Sequence, residues 1–235
     1  MTNHFNQLSK LLNTLGRRHN LSTVFNDLLT MAICSYHRTN IQSKLTVKDP
    51  DNETLYLDTI QKYDRDELNN FAKAMGHLHL QVHDNPYSDI LGEYFTENIT
   101  NGHNGQYFTP EPICTLMTQL HAGQGGVKDK TVLDPACGSA RMLLAFAQSN
   151  PQNQFFGADV SQTCVKMATV NFFLNGLKGE VAWMNTLSME FYGAWHVNTQ
   201  GIGIVPIEKK QSRIWSNPPI ANKDEPEEGA QLILF

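Results

Sequence analysis

Apolar positions in the first hundred residues recur at helical spacing. Phe5, Leu8, Leu11, Leu12 and Leu15 share one face of a predicted helix that ends at Gly16. Val24, Phe25, Leu28, Leu29, Ala32, Ile33 and Tyr36 form a second stripe. A third begins at Asp64, where Glu67 completes a capping box, and runs through Leu68, Phe71, Met75, Leu78 and Val82. Residues 40–60 are polar and carry Asp49-Pro50-Asp51-Asn52, which reads as a loop or small excursion. Asp84-Asn85-Pro86 is expected to close the helical part, and no internal repeat is visible.

From about residue 107 the pattern becomes short apolar runs separated by helical stretches. Thr131-Val132-Leu133, Phe155-Phe156-Gly157-Ala158, Glu180-Val181-Ala182-Trp183 and Arg213-Ile214-Trp215 are the predicted strands. Arg141 to Gln148 and Ser161 to Leu174, the latter closed by Gly176, are the predicted crossover helices. Strands alternating with helices imply an α/β fold with a Rossmann-type parallel sheet and right-handed crossovers. That sheet is expected to stop after its fourth strand, behind an N-terminal helical region. Residues 186–212 form a long connection in which Gly201-Ile202-Gly203-Ile204-Val205 is a hairpin candidate. The expected division is a helical region over 1–104, a core over 105–221 and a flexible acidic tail over 222–235.

Composition changes this picture little. A chain of 235 residues with a net charge of −5 has the length for a sizeable core and lacks the basic balance typical of a nucleic-acid reader. Local clusters, Arg17-Arg18-His19 and Lys209-Lys210 with Arg213, are the candidates for contact with DNA, or plain surface charge. No apolar run approaches a membrane span, and Met1-Thr2-Asn3-His4 does not open a secretory signal, so a cytoplasmic location is the expectation and no membrane partner is expected. Cys34, Cys114, Cys137 and Cys164 lie far apart, which suggests neither a disulfide framework nor a metal site.

The chemistry-bearing residues fall at strand ends. Asp134-Pro135-Ala136-Cys137-Gly138-Ser139 follows the first strand, where a doubly wound sheet binds a nucleotide-like ligand; a plain tight turn is the alternative. Asp159 follows the second strand, with a spacing suited to ribose hydroxyls, and Asn185 follows the third. Gly105-Gln106-Tyr107-Phe108-Thr109-Pro110 opens another helix, with Thr109 as the expected cap and Pro110 as its first residue. Trp215-Ser216 leads into Asn217-Pro218-Pro219. There a side-chain oxygen and a rigid carbonyl can both accept hydrogen bonds from one exocyclic amino group.

Taken in order, Gln106 to Pro110, Asp134 to Ser139 and Asn217-Pro218-Pro219 resemble the amino-methyltransferases that act on adenine in DNA. The likeness is to the modification subunits of type I restriction systems and their short relatives. Asp89-Ile90-Leu91-Gly92-Glu93 also looks like that group. The resemblance implies a methyltransferase-like fold with S-adenosylmethionine (SAM) as cofactor and no metal. By carry-over Thr109, Asp134 and Gly138 hold its methionine end, with Tyr107 and Ala136 counted in the same site. Asp159 takes the ribose and Asn185 the adenine ring. It also implies an adenine flipped from the duplex, its amino hydrogens accepted by Asn217 and Pro218 with Pro219 stiffening the turn. The nitrogen then attacks the sulfonium methyl directly, without a cysteine nucleophile.

Two positions depart from that pattern: Ile220 replaces the usual aromatic, and Ala140 replaces a glycine. A weakened or inactive SAM-binding protein that completes a larger complex is therefore one alternative, and methyl transfer to a protein glutamine or RNA is another. A partner subunit supplying target recognition is expected. Gln231-Leu232-Ile233-Leu234-Phe235 resembles a sliding-clamp-binding peptide, or else packs on the sheet.

Overall fold

The computed structural model describes residues 3–37, 49–100, 108–122, 126–199, 201–216 and 232–233. Asn217, Pro218, Pro219, Ile220 and Tyr107 lie outside the described residues, as do Gln231, Leu234 and Phe235. The chain forms two compact units. One comprises residues 1–86 and 90–107, the other residues 87–89 and 108–235.

The first unit is helical. Helices α1 (Asn3–Leu15), α2 (Leu21–Ser35) and α4 (Arg65–Asp84) follow the three predicted stripes. Asp64 accepts from the Asp66 and Glu67 backbone while Glu67 answers the Asp64 N–H, so the capping box forms as expected. Buried Asp27 of α2 accepts from the Tyr63 hydroxyl at 2.8 Å and pairs with Lys62, which satisfies its charge in the helical core. Two expectations fail here. Residues 50–60 are not loop but helix α3 (Pro50–Ile60), because Asp49 caps it and Pro50 occupies its first turn. Helical structure also does not end at Pro86: α5 (Ile90–Phe95) runs into a π-helical turn, Thr96–Thr100.

Among the described residues the second unit is built on a six-stranded sheet of order β5-β4-β3-β2-β1-β6. Strands β1 (Thr131–Asp134), β2 (Gln154–Asp159) and β3 (Gly179–Asn185) are parallel neighbours and match three of the predicted strands. Helix α6 (Glu111–Ala122) precedes β1, and α7 (Arg141–Ser149) and α8 (Gln162–Leu174) make the crossovers. Phe155 of β2 meets Phe172 of α8 edge-on, which marks the face that α8 covers.

The expected parallel sheet ending at a fourth strand is corrected beyond β3 in both direction and strand number. Strands β4 (Glu190–Val197) and β5 (Ile204–Ile207) pair antiparallel within the long connection, so the sheet is mixed. Arg213-Ile214-Trp215 is not a strand. It belongs to a single helical turn, α9 (Arg213–Ser216), whose Ile214 packs on Leu133, Phe156, Ala158, Ala182, Met184 and Ala194. The place beside β1 is taken instead by β6, where Leu232 and Ile233 pair in parallel with Val132 and Leu133. These two residues of the clamp-like pentapeptide therefore follow the sheet-packing alternative. Among the described residues no helix is long and apolar enough to cross a membrane. Among the described residues no disulfide forms, and all four cysteines are buried.

Candidate functional site

The carboxyl ends of β1, β2 and β3 bring Asp134, Asp159 and Asn185 to one edge of the sheet. Register fixes their order: Asp134 lies opposite Gly157, and Asp159 opposite Trp183. The turn after β1 folds back on the end of β2. Cys137 N–H donates to Ala158 O at 2.8 Å, and Gly138 N–H donates to Asp159 Oδ2 at 2.9 Å. Asp159 Oδ1 accepts the Ser161 N–H at 2.8 Å, so one carboxylate ties the turn after β1 to the start of α8. Gly138 takes φ +54, and a Cβ there would sit 2.8 Å from the Phe108 ring, so this position requires glycine in conformation and in space. Ala140 takes φ +73, a left-handed backbone in which glycine would be free of strain.

Burial sets the electrostatics. Asp134 is buried and accepts a hydrogen bond from Ala136 N–H at 3.0 Å. Desolvation raises its pKa to about 6, with the neighbouring Asp159 charge adding to the rise. Asp159 is raised as well, first by desolvation and against the pull of its N–H donors. Neither carboxylate forms an ion pair among the described residues. The edge is thus a pair of uncompensated acids, chemically suited to a cationic ligand. Burial pushes the Cys137 thiol well above its ordinary value, and its sulfur fills the space left by Gly157, so it behaves as packing and not as a nucleophile.

Other predicted residues are placed differently. Helix α6 starts at Glu111, and Pro110 O accepts from Ile113 N–H at 2.9 Å and from Cys114 N–H at 3.1 Å. Pro110 is therefore the cap residue and Thr109 precedes it. Thr109 is exposed, and its carbonyl accepts from Arg141 Nη1 at 3.3 Å. Asn185 uses its Oδ1 to accept the Leu187 and Ser188 N–H groups, closing the turn after β3. The basic clusters are engaged: Arg18 with Asp64 and Glu67, Lys210 with Glu208, and Lys209 over the Trp215 ring.

Asp89 is a site-supporting residue that reasoning from the residues missed. It is buried and accepts from Ser139 Oγ at 2.5 Å, Arg141 Nε at 2.9 Å and Asn171 Nδ2 at 2.9 Å. Asn171 also donates to Ser139 O. This cluster holds the turn between β1 and α7 from behind. Only the family likeness of Asp89 to Glu93 signals it, since its partners are 50 or more positions away. Asp89→Ala leaves an arginine and two polar side chains underpartnered; thermal unfolding is expected to show a loss of about 2 kcal/mol.

Residues 84–231 match the family model described as N-6 DNA Methylase. The chain belongs to the N-6 DNA methylase family. It is 28% identical over 142 residues to the Type I restriction enzyme MjaVIII methylase subunit of Methanocaldococcus jannaschii, covering 56% of this chain and 23% of that protein. It is 31% identical over 114 residues to the Type II restriction enzyme and methyltransferase RM.BcgI of Heyndrickxia coagulans, covering 41% of this chain and 17% of that one. It is also 27% identical over 143 residues to the Release factor glutamine methyltransferase of Thermodesulfovibrio yellowstonii, covering 60% and 46%. The chain spans less than half the length of each of these relatives. S-adenosylmethionine is the cofactor of this methyltransferase family, and the strand-end residues fit it: buried Asp134 suits its positive charge, Asp159 can accept from its hydroxyls, and the glycine turn is tied to Asp159 with the Phe108 ring beside it.

Proposed function

We propose that the chain transfers a methyl group from S-adenosylmethionine to the exocyclic amino group of adenine in DNA. The carrying observation is the acid pair at the ends of β1 and β2, with Asp134 accepting from Ala136 N–H and Asp159 from Gly138 N–H of the same turn, in a chain that also bears Asn217-Pro218-Pro219. The bound cofactor supplies an electrophilic methyl. Asp134, Thr109 and the Gly138 turn, with Tyr107 and Ala136, hold its methionine end. Asp159 accepts from the ribose hydroxyls with the lone pairs its two backbone donors leave. The amide NH2 of Asn185 is the half available to a ring nitrogen. Asn217 Oδ1 and the Pro218 carbonyl accept the amino hydrogens of a flipped adenine and localise the nitrogen lone pair toward the methyl. Ile220 gives apolar contact without a stacking face, so base capture is weaker by the stacking contribution of about 1–3 kcal/mol.

Two of the relatives are restriction enzymes, one of them a methylase subunit, which supports DNA as substrate and a partner subunit for target recognition. The clamp reading of Gln231 to Phe235 draws no support from the relatives. The glutamine methyltransferase relative favours a second reading, transfer to a protein glutamine; Gln106 to Pro110 weighs toward DNA. Labelled-methyl transfer to mixed duplexes, and separately to a glutamine-bearing protein, decides between them. Asn217→Ala is expected to cut transfer about 100-fold while calorimetric cofactor affinity stays unchanged. Equal transfer by the variant would remove Asn217 from the mechanism.

A further inference from the structure

We propose that Glu180 is a positioning residue for the amino-group site, anchoring the helical turn that leads into Asn217. The proposal rests on the reading of Asn217 given above. Glu180 is the second residue of β3 and is fully buried. Its Oε1 accepts from Ser212 Oγ at 2.5 Å, and its Oε2 accepts from Arg213 N–H at 2.8 Å. Ser212 Oγ in turn accepts from Trp215 N–H at 3.1 Å. One buried carboxylate therefore holds both the serine that caps α9 and the first N–H of that turn. Side-chain contacts secure the rest of it. Arg213 lies over the Phe156 ring and donates to Gln154, and the Trp215 indole donates to Met189 O. The turn ends at Ser216, the residue before Asn217.

A carboxylate is a costly way to fill a core position. An apolar side chain of similar size would avoid the desolvation, so stability alone does not account for Glu180. What the carboxylate adds is direction: two acceptors fix the start of α9 in angle and in height on the sheet. Transfer needs two acceptor oxygens held against one amino group, and an error of an ångström there costs about 100-fold. Glu180 pairs with Phe156, whereas Asp159 pairs with Trp183. Three residues, roughly 10 Å of strand, separate Glu180 from the level of Asp159, and Asp134 stands two strands away on the far side of β2. Changing it leaves the cofactor site in place.

The test compares the full-length wild type with Glu180→Gln and Ser212→Ala, the second being the milder change should the first fold poorly. Amide hydrogen exchange over residues 212–216 is expected to quicken about tenfold in both, consistent with loss of a capping bond. Cofactor Kd by calorimetry and KM for cofactor stay within about twofold, while kcat for methyl transfer to adenine in duplex DNA falls about 10- to 100-fold. Unchanged exchange overturns the anchoring role. Faster exchange with unchanged kcat overturns the positioning role. A wild type that transfers no methyl to any amino substrate overturns the reading of Asn217 and this role with it, and is told apart by the exchange change persisting.

Discussion

Asp134→Asn is expected to yield a more stable protein that has lost most of its cofactor affinity. The folded carboxyl has its pKa raised to about 6 from an ordinary 3.8, chiefly by burial. A group raised on folding favours the fold when protonated. Its contribution is complete below the unfolded value and is lost as pH climbs through about 6. Above that pH the fold carries a buried charge, and the gap between the two values corresponds to about 3 kcal/mol. Asparagine keeps an oxygen for the Ala136 N–H and removes the charge. Unfolding free energies of variant and wild type should coincide near pH 4 and separate by pH 7.5, with the variant higher by up to about 3 kcal/mol. The cofactor behaves oppositely. Its positive charge favours the ionised acid, so wild-type affinity should tighten as pH rises through about 6, while the variant binds about 100-fold more weakly at pH 7.5 with little pH dependence. A wild type that gains stability relative to the variant between pH 5 and 7.5 would refute the assigned environment. On the proposed role of Asp134, the acid is kept at a cost to the fold because the ligand needs it, a trade familiar at binding sites.

The parts of this fold that are legible in the sequence are those whose signal is local. β1, β2 and β3 are apolar runs ended by Asp134, Asp159 and Asn185, and the parallel order follows from the helices between them. Helix α3 escapes a local reading because Asp49-Pro50 is a turn signal and equally a helix start. Strand β4 hides in the long connection for a different reason. Its ladder with β3 runs antiparallel and shifts register between Trp183 and Met184, a pairing that neither strand announces alone. Arg213-Ile214-Trp215 misleads for a distant reason. Its β-like side chains are overridden by a carboxylate 33 positions earlier that takes the Arg213 N–H. Asp89 shows the same limit at the site, since nothing adjacent in sequence tells that it will meet Ser139, Arg141 and Asn171.

Gly179→Ala is expected to be among the most damaging single-methyl additions in the second unit. Gly179 opens β3 opposite Phe155, and an added Cβ would lie 1.6 Å from Phe155 O and 2.7 Å from Phe155 C. Its backbone is not left-handed, so the requirement is one of space alone. The obstacle is a backbone atom of the adjacent strand, which cannot rotate away as a side-chain tip can. Relief requires the two strands to part where Phe155 N–H also bonds Lys178 O at 2.8 Å. Urea unfolding is expected to show a loss of about 4 kcal/mol, above the usual cost of overpacking because backbone must yield. The next residue is Glu180, so parting the strands also loosens the hold on α9. Further along, Asp159 and Trp183 share the same ladder, and the acid edge shifts with it. Gly76→Ala is the matched control. Gly76 lies inside α4, and an added Cβ there meets nothing within 4 Å. It should stabilise its helix by about 0.5–1 kcal/mol. Opposite signs from one chemical change would locate the effect in the β2–β3 contact. An unchanged midpoint for Gly179→Ala would mean that β2 and β3 do not pair in this register, and the placement of Asp159 against Asp134 would fall with it.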